Sequence, residues 1–434
     1  MSSGASSQAF TPGWFAAQRW FRAKRRTIDR VTEADRVPVD RRTELRILEV
    51  AYRDGETADR YLVPTVDGRE PEDGEGAWAS IVRLIAEHAE LRGRTGRFAC
   101  EPTEALVELL PSAREAAGTL AERRLAVEQS NTSVVLGDRL ILKLFRLLEG
   151  GINPDLEVGA FLTEVGFSGT PPLAGGITWR PDAGAPAAAV MLQALVPARG
   201  DAWGAMLERL AGDPAGATRE ATEIGRLTAA MHAALASRPN DPAFPSRRAS
   251  VSETAGWRAS AEAQLAQAVS AVGGPDHDRL VRLARALSAR FTDTFGSATG
   301  EARISRIHGD YHLGQLLMRV DGGYSVIDFE GEPARPLPER RAPSSPLRDV
   351  AGLLRSLDYA ARTAQRTSGL DAEAWLATAR EAFLAGYGGI RVGQRGLLDA
   401  FELEKACYEV HYEANNRPEW LWLPLAAVER LVAR

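Results

Sequence analysis

An α+β fold is predicted, with strands gathered in the first two hundred residues and helices filling most of the remainder. Three observations carry that expectation. Apolar runs of strand length recur as far as Leu195, apolar residues at helical spacing dominate from Trp203 onward, and the stretch Arg306–Glu332 (RIHGDYHLGQLLMRVDGGYSVIDFEGE) returns to a hairpin pattern among the helices. At 434 residues the chain is long enough for two or three domains. Composition and pattern divide it at about 1–95, 96–200 and 201–434.

Residues 1–95 read as a small α+β unit. Trp14–Phe21 is short and aromatic and leads into the basic cluster Arg22, Lys24, Arg25 and Arg26. Strands are expected at Leu45–Tyr52 and Tyr61–Val66, then a helix over Ala77–Leu91. The basic cluster is either a solvated face or an approach to a phosphate or a neighbouring domain.

Between about 96 and 200 the pattern suits a nucleotide-holding lobe. Ala105–Leu110 and Arg124–Glu128 read as strands, followed by Gln129-Ser130-Asn131-Thr132-Ser133. There is no G-x-G-x-x-G here. A turn of Ser130, Asn131, Thr132 and Ser133 can still offer hydroxyl, amide and backbone N–H donors to phosphate oxygens, and a plain hairpin turn is the alternative. Leu140–Phe145 is an apolar strand carrying Lys143, whose ammonium requires an anionic partner. Asn153-Pro154 opens a helix with Asn or Asp as its cap, and Glu157 in its first turns is the partner expected for Lys143. Ala187–Leu195 is a further strand, and Gln193 to Leu195 are the expected adenine contacts at a hinge.

The third segment carries helices at Ala221–Ala236, Arg247–Ala271 and His277–Phe295, with His232 expected as a packing residue. Ile304–Ile307 then delivers His308, Gly309 and Asp310 to a loop, Asp321-Gly322-Gly323 turns the chain, and Tyr324–Ile327 ends in Asp328. The hairpin can therefore bring Asp310, Gln315 and Asp328 to one end of a sheet. Two carboxylates and an amide oxygen suit Mg²⁺. In phosphoryl transfer one Asp accepts the proton of the attacking hydroxyl while another Asp and an amide hold the metal, which assigns Asp310 as base and Gln315 and Asp328 as ligands. Arg335, Arg348 and Asp349 are candidates for bracing the metal loop. A helix begins near Ser344 and runs through Tyr359. On the last predicted helix, Phe401–Asn416, the residues Lys405, Glu409, Tyr412 and Asn416 share one face and can converge on a polyol, with Arg417, Trp420 and Trp422 nearby.

Hydrophobic residues make up 44% and charged residues 26%, an ordinary balance for a globular protein, and the net charge of -5 exerts no general pull toward nucleic acid or an anionic membrane. The polar start Met1–Phe10 lacks the apolar core of a signal peptide, and no run approaches the ~20 apolar residues of a membrane span. The two cysteines, Cys100 and Cys407, have no metal-ligand spacing, and a reduced cytoplasmic setting is expected.

HGDYHLGQ followed by IDFEGEP resembles the catalytic and metal loops of the aminoglycoside-phosphotransferase-like branch of the protein-kinase fold. Further segments, QRWF-x-x-K, LKLFRLLEGGINPDLE, GEPARPL, SPLRDVAGLLRSLDYAA and EKACYEVHYEANNRPEWLWLPL, resemble the bacterial maltokinase family over nearly the whole chain. Arg22-Ala23 departs from the small residues expected before Lys24. The resemblance implies a bilobal kinase-like fold with an N-terminal cap subdomain, a β-rich nucleotide lobe and a mainly helical C-lobe. It implies MgATP-dependent phosphorylation of maltose to maltose 1-phosphate in trehalose and α-glucan metabolism, with ATP and Mg²⁺ as cofactors and a possible association with trehalose synthase. It places Lys143 and Glu157 at the ATP phosphates, and His308, Tyr408, Lys405, Glu409, Tyr412, Asn416 and Arg417 at the sugar. Glucosamine kinases share the architecture and make an amino sugar the rival acceptor. A nucleotide-binding pseudokinase docked on a trehalose-metabolising enzyme is the reading from another class.

Overall fold

The computed structural model describes residues 10–110, 120–125, 130–298, 300–369 and 371–433. The chain divides after Val196 into two compact units.

The first unit opens with the short helix α1 (Pro12–Ala17) and a three-stranded antiparallel sheet in the order β1 (Ile28–Pro38), β2 (Thr43–Tyr52), β3 (Asp59–Val66). Strand β1 carries no clear apolar alternation, which is why the sequence does not announce it; its pairing with β2 decides it. Phe15, Trp20 and Phe21 pack on Tyr61 with edge and tilted ring contacts and form one side of this sheet's core. The basic cluster is partly spent within the unit. Lys24 Nζ donates to the carbonyls of Ala16 and Gln18, and Arg26 forks onto Asp54 at 2.8 Å.

Helix α2 (Ala77–Ala86) is shorter than predicted, because Glu90–Arg92 leaves as strand β4. With β5 (Gly96–Pro102), β6 (Glu122–Arg124), β7 (Asn131–Leu136), β8 (Leu140–Phe145), β9 (Leu173–Pro181) and β10 (Ala187–Ala194) it builds an antiparallel sheet in the order β4-β5-β9-β10-β8-β7-β6. Val37, Leu45 and Leu62 of the first sheet share one apolar core with Trp78, Ile81, Leu142 and Leu144, so the expected cap and nucleotide lobe belong to one compact unit. Ala105–Leu110, read as a strand, is instead helix α3 (Glu104–Leu109). Its Glu, Ala and Leu residues are strong helix formers. Of the predicted strand Arg124–Glu128, residues 126–128 lie outside the described residues, as does Gln129. Helix α4 (Pro154–Glu164) starts on the Asn153 cap, whose side chain accepts from the N–H groups of Asp155 and Leu156 at 2.9 and 3.1 Å.

The second unit is mainly helical. It comprises α5 (Ala202–Gly212), α6 (Pro214–Leu235), α7 (Val251–Ala271), α8 (Gly274–Ser297), α9 (Leu337–Arg341), α10 (Leu347–Ser368), α11 (Ala372–Gly386), α12 (Val392–Asn416) and α13 (Trp422–Val432). Its strands are β11 (Ala198–Asp201), β12 (Arg247–Arg248), β13 (Arg303–Ile304), β14 (Leu316–Arg319) and β15 (Tyr324–Val326), with β11-β14-β15 as a small sheet and β12-β13 as a pair. The β14–β15 hairpin turns through Gly322 and Gly323 at φ 101° and 73°, as the Asp-Gly-Gly signal predicts. The predicted strand Ile304–Ile307 is confined to β13; the chain beyond is held as a loop, where Ser305 and Ser344 exchange backbone hydrogen bonds. Helices α6 and α11 cross at a glycine notch, since a Cβ on Gly225 would lie 2.2 Å from the Phe383 carbonyl oxygen and one on Gly386 2.2 Å from that of Thr222. Among the described residues no helix is long and apolar enough to cross a membrane.

Candidate active site

In the second unit the loop between β13 and β14 carries Asp310, and its shape is set from behind. Asp349, on the first turn of α10, is buried and accepts from the N–H groups of His308 and Gly309 at 2.8 and 2.9 Å. Burial works against that carboxylate's charge, but the hydrogen bond from His232, at 3.0 Å, and those backbone donors hold its pKa below the usual range. His232 is thus the packing residue expected, with its other nitrogen 3.0 Å from Tyr387 Oη. Asp349 braces the Asp310 loop rather than the metal loop. Gly309 takes φ 86°, and a Cβ there would meet Gly331 Cα at 3.2 Å, which leaves glycine as the residue that fits between His308 and Asp310.

His308 does not reach a substrate. Its ring is 1% exposed, Nε2–H donates to the Ile327 carbonyl at 2.9 Å, and it packs 4.8 Å from the Phe329 ring. Those contacts tie the Asp310 loop to the strand end that carries Asp328. Asp328 itself adopts φ 66°, a left-handed conformation uncommon outside glycine, which turns its side chain out of the strand path. Gln315 Nε2–H donates to the Asp328 carboxylate at 3.4 Å, so the amide and the carboxylate meet at one point beyond the hairpin. The donor chemistry fits a hard divalent cation.

Asp310 lines a cavity of about 750 Å³ contained within this unit. His312 and Gly314 of the same loop form its floor, and Lys405, Tyr408, Glu409, Tyr412, Glu413 and Arg417 of α12 and its cap form one wall. Trp203, Tyr359 and Trp420 add apolar faces of the kind a sugar ring packs against. His312, Glu413, Tyr359 and Trp203 were not singled out by the sequence reading. The signal for Glu413 was present, because it follows Glu409 at one helical turn. Burial pushes the His312 imidazole below its ordinary value and favours the neutral ring, whose Nδ1 accepts from Gly314 N–H at 3.0 Å.

The predicted sugar face divides into distinct roles. Lys405 Nζ reaches 3.3 Å from Asp310 Oδ1 and 2.8 Å from Glu332 Oε1. Glu409 is forked by Arg355 at 3.0 and 2.7 Å, and burial raises its pKa despite that partner. Tyr408 and Tyr412 stack at 6.2 Å and 25°. Arg417 pairs with Glu413 and lies 5.7 Å from the Trp420 ring. Asn416 does not join them. Its amide donates to the Tyr412 carbonyl at 2.8 Å on its own helix, exposed and outside the cavity lining. Arg335 and Arg348, expected near the metal loop, converge on Glu404 at 3.6 and 2.9 Å, while Arg335 also reaches Glu332 at 2.6 Å.

In the first unit Lys143 sits on β8 opposite Ser133 and Met191. The carboxylate found 2.9 Å from its ammonium is Asp155, two residues before the expected Glu157. Asp155 lies in the first turn behind the Asn153 cap and is 2% exposed, the stronger position for a buried cation. The expected phosphate turn is also revised. Asn131, Thr132 and Ser133 are buried at the start of β7, paired across from Phe145, Leu144 and Lys143, and Thr132 Oγ1 accepts from Arg146 Nε at 2.8 Å. Ser130 precedes the strand as a half-buried bend. Gln193 is held in the ladder between Ile141 and Leu173, and the Leu195 N–H donates to the Arg139 carbonyl at 2.8 Å, so that donor is not available to an adenine edge.

The fold and this constellation define a phosphotransferase: the chain belongs to the phosphotransferase enzyme family, whose model matches residues 121–393. A second model, the maltokinase N-terminal cap domain, matches residues 14–99 and makes it a maltokinase-like member of that family. The glucosamine kinase of Streptacidiphilus jiangxiensis is 31% identical over 394 residues, covering 85% of this chain and 84% of the relative. The glucosamine kinase of Mycolicibacterium smegmatis is 30% identical over 328 residues, 72% and 79% of the two chains. A solved glucosamine kinase in complex with glucosamine, ADP and inorganic phosphate superposes with a TM-score of 0.72 at 26% identity, covering 92% of this chain and 93% of the other.

Proposed function

We propose that this protein is an ATP-dependent sugar kinase whose acceptor is an amino sugar of the glucosamine class. The observation that carries the reading is Asp310 opening into a cavity whose lining holds four carboxylates, Asp201, Asp310, Glu409 and Glu413, against Lys405 and Arg417 in the lining and Arg355 behind Glu409. An excess of acid at an enclosed site favours a cationic acceptor over a neutral one. The relatives named glucosamine kinase over most of the chain support it. Maltose is the second reading, supported by the cap domain and by the stacked Tyr408–Tyr412 pair.

In the proposed reaction Asp310 accepts the proton of a sugar hydroxyl, the oxygen attacks the terminal phosphorus of ATP, and the bond to ADP breaks with its electron pair leaving on ADP. Gln315 and Asp328 would hold Mg²⁺, which supplies charge neutralisation at the phosphates. Lys143, held by Asp155, is the proposed nucleotide contact of the first unit. Tyr408, Tyr412 and Trp420 position the ring, so most of the acceleration comes from orientation and charge complementarity.

ADP release with MgATP tests the assignment against glucosamine, maltose, glucose, trehalose and kanamycin. Turnover confined to glucosamine establishes the amino-sugar reading. Turnover on maltose with an acid-labile product moves the second reading to first place, and absence of turnover on every sugar overturns the kinase assignment and favours the pseudokinase.

A further inference from the structure

We infer that Lys405 is the positioning residue of the base: its ammonium anchors one oxygen of Asp310 and leaves the other directed at the acceptor hydroxyl. The inference rests on the kinase reading but not on which sugar is the acceptor. It reassigns a residue that helical spacing alone places on the sugar.

The geometry triangulates the ammonium. Lys405 Nζ is 2.8 Å from Glu332 Oε1, 3.3 Å from Asp310 Oδ1 and 4.5 Å from the Tyr408 ring centroid. Glu332 is itself pinned, with Arg335 Nε 2.6 Å from its other oxygen. Of the two carboxylates that hold the lysine, Asp310 lines the acceptor cavity and Glu332 does not. The loop backbone is fixed separately by Asp349, so Lys405 is left with the one freedom that remains, the rotation of the Asp310 side chain.

The titratable and charged groups around Lys405 and its two carboxylates are Asp310 and His312 of the catalytic loop, Glu332 and Arg335 beyond β15, Arg348 and Asp349 at the start of α10, and Glu404, Tyr408 and Glu409 of its own helix. Burial opposes the ammonium, yet Glu332 and Asp310 outweigh it and raise its pKa above the ordinary lysine value. A cation that stays charged throughout turnover favours the ionised base before proton transfer and the departure of the proton afterwards. The two carboxylates already take two of the ammonium's three N–H donors.

Lys405→Met alone would leave Glu332 short of a partner, so the decisive variant is Glu332→Gln/Lys405→Met, which removes both charges of the pair. If Lys405 positions the base, this double variant folds with near-native thermal stability, loses about 10²-fold in kcat and keeps the sugar KM. The acid limb of its kcat/KM profile also moves to higher pH, and Lys405→Arg recovers part of the rate. Recovery of kcat in the double variant would reduce the lysine to a structural counter-charge. A raised sugar KM with kcat intact would make it a sugar contact, and either result overturns the inference. The ¹³C signal of the Asp310 carboxyl, identified by its loss in Asp310→Asn, should move in the double variant with no acceptor present. An unmoved signal also overturns the inference, whereas silence of the wild type toward every sugar overturns only the functional reading.

Discussion

Two cations taken out of water, Arg146 in the first unit and Lys405 in the second, solve the same problem differently. Arg146 follows β8, is 1% exposed, and is held by Glu70 at 2.8 Å and Thr132 at 2.8 Å with its guanidinium 4.7 Å from the Trp20 ring. It joins the aromatic cluster of the cap to the strand after Ser130. Burial outweighs its partners and pushes it down to about 10, and its Nη1 has no hydrogen-bond partner among the described residues. Lys405 is 22% exposed at its side chain, has two carboxylates and is pushed upward. A buried cation with one carboxylate is a structural joint bearing a desolvation cost. A cation shared between two carboxylates, one of them open to a cavity, is suited to work on the exposed one.

That contrast can be broken by mutation. The largest effect should come from the open partner: Asp310→Asn is expected to lower kcat by about 10²- to 10⁴-fold while ATP binding persists. Steady-state kinetics and nucleotide titration check it, and retained turnover would remove Asp310 as base. At the closed joint the loss should appear as stability instead. Arg146→Met removes the buried cation paired with Glu70 and is expected to lower unfolding free energy by about 3 to 5 kcal/mol, and Glu70→Gln in the same chain should recover part of it. Denaturant unfolding reads both.

A smaller effect belongs to the cavity wall. Trp420→Ala removes one aromatic face, with an expected cost of about 1 kcal/mol, seen as a roughly fivefold rise in sugar KM with kcat preserved. A fall in kcat of the same size would place Trp420 nearer the chemistry than its location suggests.

A further effect is in pH dependence. Burial works against the Glu332 carboxylate, but Lys405 and Arg335 hold it down to about 2 from its ordinary 4.5. The folded state therefore binds fewer protons than the unfolded state in this range. The contribution is fully present above about 4.5 and is lost as pH falls toward about 2. Thermal unfolding of Glu332→Gln should show a weaker pH dependence across that window, and an unchanged slope would sever the proposed coupling of Glu332 to Lys405.

Local order was readable in advance. The Asp-Gly-Gly hairpin, the Asn153-Pro154 helix start, the strand around Lys143 and the long C-terminal helix all follow from period, cap and turn chemistry, which act over a few residues. The clustering of Gln315 with Asp328 belongs to the same class, because a short hairpin leaves them no other arrangement. Where local signals were ambiguous the reading failed, as in α3, whose six residues are too few for period to separate helix from strand.

The sequence by itself therefore determined the α+β class with strands early and helices late, the hairpin that follows Asp310 with its Gln315 and Asp328, and the need of Lys143 for an anion, while the division into two units rather than three came from the structure. Only the tertiary structure decided the partners. It put Asp155 on Lys143, buried His308 beneath the loop, closed Asn416 onto its own helix, and brought Lys405 to Asp310 across 95 residues of chain. The physical reason is one of range: helical spacing says which side chains share a face, but what that face meets depends on how distant elements pack and on which rotamers the packing leaves open.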